Sequence, residues 1–512
     1  MSSTNACLFS SGRLLSQNPI LSVFDEAKLT LESFGDFVTD QFDRTLRIGV
    51  TGLSRSGKTV FITALVQALV GKTPMPLFGV KSEGRLARAE IRPQPDLAVP
   101  RFQAEEHLKT LAMPNRSWPE STRQISEIRI VLHFETTRRL IGGSTRKTLT
   151  LDIVDYPGEW LLDLGLLAKD YRTWSEETLA LTKEPTRAPI AEPWLEKVRA
   201  VSPLDPDDEP KAEVLSDAFK TYLHACRDAR VSQSTLPPGR FLMPGDLEGS
   251  PALTFSPLPS PAERPGERTL HALMAKRFEA YKDLVVRPFF VEHFAKLDRQ
   301  IVLVDLLSAM NAGPNAVRDL ERALSDTLSV FRTGRRSLLS ALFARRISKI
   351  LFAATKADLI HHANHDRLET LLAALVSRSR NAADMTGTEV GLAALSSVRA
   401  TRETIISRDG ADHECIVGTP ESGEIIGGKT FDGEKETAFF PGDLPDDIAT
   451  ILDPKAAPYT GLESLTSDAH ADLRFLKFRP PEFPDAAVER RFAMPHIRLD
   501  KALQFLIGDA VS

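Results

Sequence analysis

The sequence predicts an α/β protein: a parallel sheet with helices on both faces, a large mainly helical insertion and a small β-rich insertion near the C-terminus. Three observations predict it. Apolar runs of strand length alternate with helical periodicities, and each run ends in charged or hydroxyl residues, as along the carboxyl edge of a parallel sheet. From Leu161 to about Lys296 the periodicity is helical throughout, until a strand pattern returns at Gln300. From Thr401 to about Asp446 short β-like pieces are broken by Asp409-Gly410, Gly427-Gly428 and Asp432-Gly433, the chemistry of an antiparallel meander.

In chain order, the segments expected are an N-terminal amphipathic helical region (1–45), the first part of the α/β core (46–160), the helical insertion (161–299), the second part of the core (300–400), the β-rich insertion (401–480) and a C-terminal helix packed on the core (481–512). Between Pro19 and Phe42 the apolar residues recur at three- and four-residue steps. The opposite face carries Asp25, Glu26, Glu32, Asp36 and Asp40 against Lys28, the wrong sign for an anionic lipid surface, so a core-facing helix is the expected reading.

Leu46–Val50 is a short apolar strand, and Val60–Val70 reads as a helix without a breaker. Between them Gly52-Leu53-Ser54-Arg55-Ser56-Gly57-Lys58-Thr59 matches GxxxxGK[ST], a phosphate loop whose backbone N–H groups converge on an anion at a helix N-terminus. Gly52, Ser54, Arg55, Ser56, Gly57, Lys58, Thr59 and Val60 are the expected phosphate cradle. Lys58 would reach the outer phosphates and the Thr59 hydroxyl would take a place on Mg²⁺. Arg55 either lies over the phosphates or points to solvent.

The long stretch from Lys72 to Gln124 is irregular, with prolines, and is expected to be functional or to carry small elements of its own. Two alternating strands follow, Ser126–Phe134 and Lys147–Asp155, joined by a hairpin connection through Arg138–Ser144. The second strand ends in Asp155-Tyr156-Pro157-Gly158-Glu159-Trp160. An acidic residue at that strand end suits Mg²⁺, and Gly158 lets its backbone N–H approach a γ-phosphate. Glu159 stands where a water-orienting residue is needed. A carboxylate there is awkward beside a triphosphate unless a metal or an arginine offsets it, so slow hydrolysis is expected; the bland alternative is an acidic residue at a helix start. A threonine that senses Mg²⁺ is sought upstream, with Thr122 best placed and Thr110 second.

Further strands are expected at Gln300–Asp305, Lys349–Ala354 and Val390–Leu395. The second of these ends in Thr355-Lys356-Ala357-Asp358, which fits [NT]KxD. Guanine presents two adjacent donors to a fixed carboxylate, whereas adenine presents an acceptor, so Asp358 points to a guanine nucleotide. Lys356 would lie along the base plane, and Thr355 stands where asparagine is more usual. The third strand ends in Ser396-Ser397-Val398, where a backbone N–H would meet the base oxygen, with the register between the serines open. His361-His362-Ala363-Asn364-His365 contains ligand-type side chains, but with neither cysteine nor HExxH spacing it gives no metal signature. The run Ser256-Pro257-Leu258-Pro259-Ser260-Pro261 reads as a solvent-exposed loop stiffened by proline.

Composition sets limits. In 512 residues, 42% hydrophobic and 26% charged, the formal net charge is −5, which gives no broad basic field for nucleic acid. No apolar run reaches the roughly 18 residues a membrane span needs, while contact with a membrane surface is left open. Cys7, Cys226 and Cys415 are odd in number and far apart, which suits a cytoplasmic setting rather than a disulfide framework.

The phosphate loop Gly52–Thr59, the run Asp155–Trp160 and Thr355–Asp358, together with Trp118–Thr122 and Phe505–Asp509, resemble the YcjX-like family of bacterial P-loop NTP-binding proteins over nearly the whole length. The resemblance implies a cytoplasmic Ras-like P-loop NTPase sheet with a large helical insertion, GTP/GDP with Mg²⁺ as ligands, and a link to stress responses. The expected activity is that of a slow Mg²⁺-dependent GTPase acting as a switch, with a protein partner met through the helical or β-rich insertion. An ATPase and a nucleotide-stabilised scaffold without turnover are the alternatives.

Overall fold

The structure is a computed structural model that describes residues 44–52, 56–120, 124–136, 146–227, 234–330, 347–379, 388–408, 410–426, 428–452, 473–483 and 492–512. The chain divides into two units, Met1–Arg44 and Thr45–Ser512, and the sheet with its helices belongs to the second. The amphipathic region expected before it lies outside the described residues, as does the connection through Arg138–Ser144.

In chain order the main elements are β1 (Arg44–Gly52), α1 (Lys58–Val70), β2 (Leu86–Arg92), α2 (Ala104–Ala112), β3 (Ser126–Glu135), β4 (Arg146–Asp155), α3 (Gly158–Asp163), α4 (Tyr171–Leu181), α5 (Ala188–Arg199), α6 (Glu209–Arg227), α7 (Leu270–Tyr281), which runs through a π-turn at Lys282–Val286 into α8 (Arg287–Glu292), β5 (Arg299–Val304), α9 (Leu306–Ala312), α10 (Pro314–Val330), β6 (Lys349–Ala354), α11 (His365–Ser379), β7 (Glu389–Ala394), β8 (Arg402–Arg408), β9 (Ala411–Gly418), the two-residue strands β10 (Ile425–Ile426) and β11 (Lys429–Thr430), β12 (Thr437–Phe439) and α12 (Leu499–Ile507).

Seven strands form one mixed sheet in the order β2-β3-β4-β1-β5-β6-β7. β1, β5, β6 and β7 pair in parallel, with Val50 opposite Ile301, Ile301 opposite Leu351 and Leu351 opposite Gly391. β2, β3 and β4 pair antiparallel, Ile130 standing opposite Ile91 and Leu151. The continuous apolar runs are explained by two covered faces. In β5, Val302 and Val304 join the core shared with the helices of 158–296 and with α9–α11, while Ile301 and Leu303 join the core that contains Phe61, Ile62 and Leu65 of α1 and Leu499, Leu503 and Leu506 of α12.

The mainly helical expectation for 161–296 holds; α4 and α5 are parted around the buried Arg187, which reaches Asp319 of α10 at 2.6 Å. The core of this region is aromatic, with Trp174 stacked on Phe278 at 4.9 Å and Trp194 on Tyr222 at 5.1 Å. The proline-rich run is not the solvent-exposed loop expected. Phe255, Ser256 and Leu258 are fully buried, the Ser256 hydroxyl accepts the Trp194 indole N–H at 2.9 Å, and the Ser256 carbonyl accepts the Tyr171 hydroxyl at 2.8 Å. Apolar side chains between the prolines, invisible to a composition argument, pin it inside.

The irregular stretch 72–124 supplies the edge strand β2. Its Arg88 and Arg92 both pair with Glu90, so the outermost strand carries charge, which blunts further edge pairing. Near the C-terminus β12, β9 and β8 form a three-stranded antiparallel sheet and β10 and β11 a separate ribbon. Among the described residues no helix is long and apolar enough to cross a membrane.

Candidate functional site

Gly57 stands immediately before α1 with φ +81°, a conformation that glycine adopts without strain, and its carbonyl accepts the Phe61 N–H at 2.8 Å to start the helix. Gly52 ends β1 so close to its surroundings that a β-carbon there would overlap the Ser56 hydroxyl. Thr59 is buried, with its hydroxyl 3.4 Å from the Glu120 carbonyl, and Val60 packs partly buried against the core of α1. Ser54 and Arg55 lie outside the described residues, and so does Thr122. Thr110, the second candidate for sensing Mg²⁺, turns its hydroxyl onto the Glu106 carbonyl of its own helix at 3.1 Å.

β4 lies beside β1, and this neighbourhood brings Asp155 to Lys58: the ammonium is 2.8 Å from Asp155 Oδ1, both groups nearly buried. Gly158 opens α3, all six residues of which are buried in the helical region. Glu159 pairs with Arg227 at the end of α6, 2.9 Å away, which supplies the arginine that a carboxylate at this position was expected to need. The Arg240 guanidinium lies 3.3 Å from the Trp160 ring centroid, and the Trp160 indole N–H donates to the Met243 carbonyl at 3.2 Å. Asp163 accepts from the Gly239 N–H at 2.7 Å and from the Tyr281 hydroxyl at 2.6 Å. Burial pushes its carboxyl up to about 7, against the pull of those two donors. A cavity of about 1200 Å³ adjoins this clamp, lined among others by Glu120, Gln124, His224, Arg227 and Arg240.

The residues expected to read the base gather at the ends of β6 and β7. Thr355 continues β6, donating its N–H to the Val304 carbonyl at 2.9 Å, and Lys356 follows with φ +62°, its ammonium on the Asp305 carboxylate. Asp305 also caps α9 through the Ser308 N–H at 3.1 Å. Asp358 is buried. Its carboxylate accepts the Ala400 N–H at 2.9 Å and lies beside Ser396, whose hydroxyl donates to the Val398 carbonyl at 3.0 Å. Burial raises its carboxyl above the ordinary range, and the Ala400 N–H works the other way. The Thr401 hydroxyl donates to the Asp358 carbonyl, and the Ala357 N–H donates to the Leu395 carbonyl at 3.1 Å, so the two strand ends are tied together. Ser396 stands beside Asp358 with its hydroxyl closing the turn on the Val398 carbonyl, and Ser397 and Val398, also buried, follow in the same turn.

Residues 46–511 match the model of the YcjX-like family, DUF463. The chain belongs to the YcjX-like family. It is 37% identical over 478 residues to the Ras-like GTPase YcjX of Escherichia coli K12, covering 91% of this chain and 96% of that protein. It is 32% identical over 489 residues to the Ras-like GTPase YcjX of Shewanella oneidensis, covering 91% and 95%.

In this YcjX-like chain the structure brings Lys58 to Asp155 and Ser396 to Asp358, both pairs expected to share a site. Sequence reasoning missed the partners supplied by distant segments: Arg227 and Arg240 beside α3, Tyr281 and Gly239 on Asp163, and Asp305 under Lys356. Only Asp305 carried a signal, as an acidic residue ending a buried strand. The others lie in a helical region whose periodicity says which face is inward and nothing of which element it meets.

Proposed function

We propose that this chain binds GTP and GDP with Mg²⁺ and hydrolyses GTP slowly, as a switch whose state is passed to the helical region. The observation that carries the reading is Asp358, a buried residue held through its carboxylate by the Ala400 N–H and through its carbonyl by the Thr401 hydroxyl, at the strand ends expected to meet the base. An ionised carboxylate offers about four acceptor positions, so capacity is left for the two guanine donors. The names of the two relatives, Ras-like GTPases, support the same base.

Thr59 and Asp155 offer hard oxygens of the kind Mg²⁺ takes, beside a lysine suited to the outer phosphates. When bound, Mg²⁺ would neutralise charge between the phosphates. Lys58 would leave Asp155 for the phosphate, and the Gly158 N–H would meet the terminal phosphoryl group at the head of α3. Glu159, its charge offset by Arg227, is the nearest group for orienting water. Weak intrinsic turnover follows from a water-orienting side chain engaged in an ion pair. A role in stress, a cytoplasmic setting and a protein partner at the helical or β-rich segment belong to the same reading through the family resemblance. So do the segment boundaries at 45, 160, 299, 400 and 480.

The deciding experiment compares the affinities of GTP, GDP and ATP, with Mg²⁺, for the purified chain. GTP and GDP are expected to bind at least ~100-fold more tightly than ATP, and Asp358→Asn is expected to move the preference toward xanthine nucleotides. Equal affinity for GTP and ATP, or an unchanged preference in the variant, would overturn the reading. A hydrolysis rate that Lys58→Ala leaves unchanged would point to a contaminating activity or to the scaffold without turnover of its own.

A further inference from the structure

The turn after the base-reading loop meets the β8–β9 sheet in a cluster unrelated to phosphate chemistry. His362 Nδ1 lies 2.6 Å from Glu403 Oε2, and His361 Nε2 lies 3.8 Å from the same oxygen. The three ligand atoms all fall within 4.8 Å of one another. Glu403 stands on β8, and Glu414 on β9 faces the same way, since its partner Ile405 is two residues beyond Glu403. Glu414 Oε2 is 3.4 Å from His361 Nδ1.

We propose that His361, His362 and Glu403 form a site for a divalent transition-metal ion of the zinc class, with Glu414 orienting His361 from behind. Two imidazole nitrogens and one carboxylate oxygen suit Zn²⁺, Co²⁺ or Ni²⁺, whereas Mg²⁺ prefers oxygen alone and keeps to the phosphates. Ligand atoms about 2.0–2.1 Å from a tetrahedral ion stand roughly 3.3 Å apart, and the observed 2.6 and 3.8 Å bracket that spacing. With Nε2 of His361 on the metal, its Nδ1 carries the proton. That N–H then donates to Glu414 in place of accepting from the Ala363 N–H, which is also 3.4 Å away. Arg399 pairs with the other oxygen of Glu403, at 3.0 Å. His365 is not a ligand: its Nε2 faces the Ala357 carbonyl at 2.9 Å.

The sequence carried the two adjacent histidines but not the carboxylate, which arrives from a separate sheet. The metal would staple the start of β8 to the turn that follows Asp358. The site is independent of the nucleotide reading, because none of its ligands is in the expected nucleotide site.

The test uses the tag-free full-length chain, stripped with EDTA and titrated with Zn²⁺ against a chromophoric competitor in excess Mg²⁺, with the Co²⁺ visible spectrum as a second readout. One Zn²⁺ per chain is expected. His362→Ala and Glu403→Gln should each weaken binding more than tenfold, and Glu414→Gln about tenfold, the usual cost of losing an orienting partner. His413→Ala, whose ring packs on Phe440 nearby, should leave it unchanged. His362 has a two-thirds exposed side chain, so that variant tests the site without disturbing the fold. Wild-type binding that survives both His362→Ala and Glu403→Gln, or no stoichiometric binding at all, would overturn the proposal.

Discussion

Asp163 is the residue at which pH should act on the junction between α3 and the helical region. Burial lifts its carboxyl from an ordinary 3.8 to about 7 in the folded chain, so between those values the folded protein keeps a proton that the unfolded chain releases. A raised folded-state pKa contributes stability that is complete below about 4 and is lost as pH climbs through about 7. Linkage over that interval gives a loss of about 2–3 kcal/mol between pH 5 and pH 8 from this one group. Asp163→Asn mimics the neutral acid: its carbonyl still accepts the Gly239 N–H and its amide meets the Tyr281 hydroxyl, but it does not titrate. Other groups titrate alike in both proteins, so the difference between their stabilities, followed by urea unfolding from pH 5 to 8, isolates Asp163. The wild type should lose about 2–3 kcal/mol relative to the variant over that span. Parallel profiles, or a difference that grows in the opposite direction, would refute the argument that burial dominates over the Tyr281 and Gly239 donors.

Two further predictions concern the same junction. Arg227→Ala leaves the nearly buried Glu159 carboxylate without its ion-pair partner and should cost about 2–4 kcal/mol. Combining it with Glu159→Gln should recover about 1–2 kcal/mol in a double-mutant cycle, and strict additivity of the two would show that the pair is not coupled. Gly239→Ala places a β-carbon 2.3 Å from the Glu159 carbonyl oxygen, a backbone atom that cannot swing aside. The expected cost is about 2–3 kcal/mol; an unchanged midpoint in thermal unfolding would mean that α3 and the Gly239 turn are not held together so closely.

Much of the sheet was legible because buried parallel strands write themselves as apolar runs: the strands expected at Gln300, Lys349 and Val390 fall within one residue of β5, β6 and β7. β2 was not, since an edge strand alternating Arg88, Glu90 and Arg92 with small residues looks like a charged loop. The same division runs through the site. Lys58, Asp155 and Asp358 could be singled out as candidates because the GxxxxGK[ST] and [NT]KxD patterns and an acidic strand end place particular residues at fixed local spacing. Arg227, Tyr281 and Asp163 are illegible because their pairing depends on how a helical region folds back onto α3, and no local spacing encodes it. His361 and His362 stood in plain view, yet their meaning depends on Glu403, which only the β8–β9 sheet delivers.

That fold-back bears on how a nucleotide signal would leave the site. In a chain whose second phosphate-sensing segment is a loop, loss of the terminal phosphate can release the segment into disorder. Here Trp160, Leu161 and Leu162 are each less than 5% exposed, and freeing them would cost roughly 2 kcal/mol per side chain, about 6 kcal/mol together. Turning a two-state equilibrium from 1:99 to 99:1 takes about 5.5 kcal/mol of differential affinity, so melting α3 would consume the whole of what a strongly discriminating nucleotide supplies. Displacing α3 together with the helices it is packed into keeps its contacts to Arg227, Gly239, Met243 and Tyr281, which travel with it. On the proposed function, the helical region would therefore move as a body when Gly158 gains or loses a phosphate. Hydrogen exchange distinguishes the two modes: amides of 158–163 should stay protected with GTP and with GDP alike, with altered exchange confined to the margins where the helical region meets the sheet. Rapid exchange throughout α3 in the GDP state would sink this account and return the switch to a melting loop.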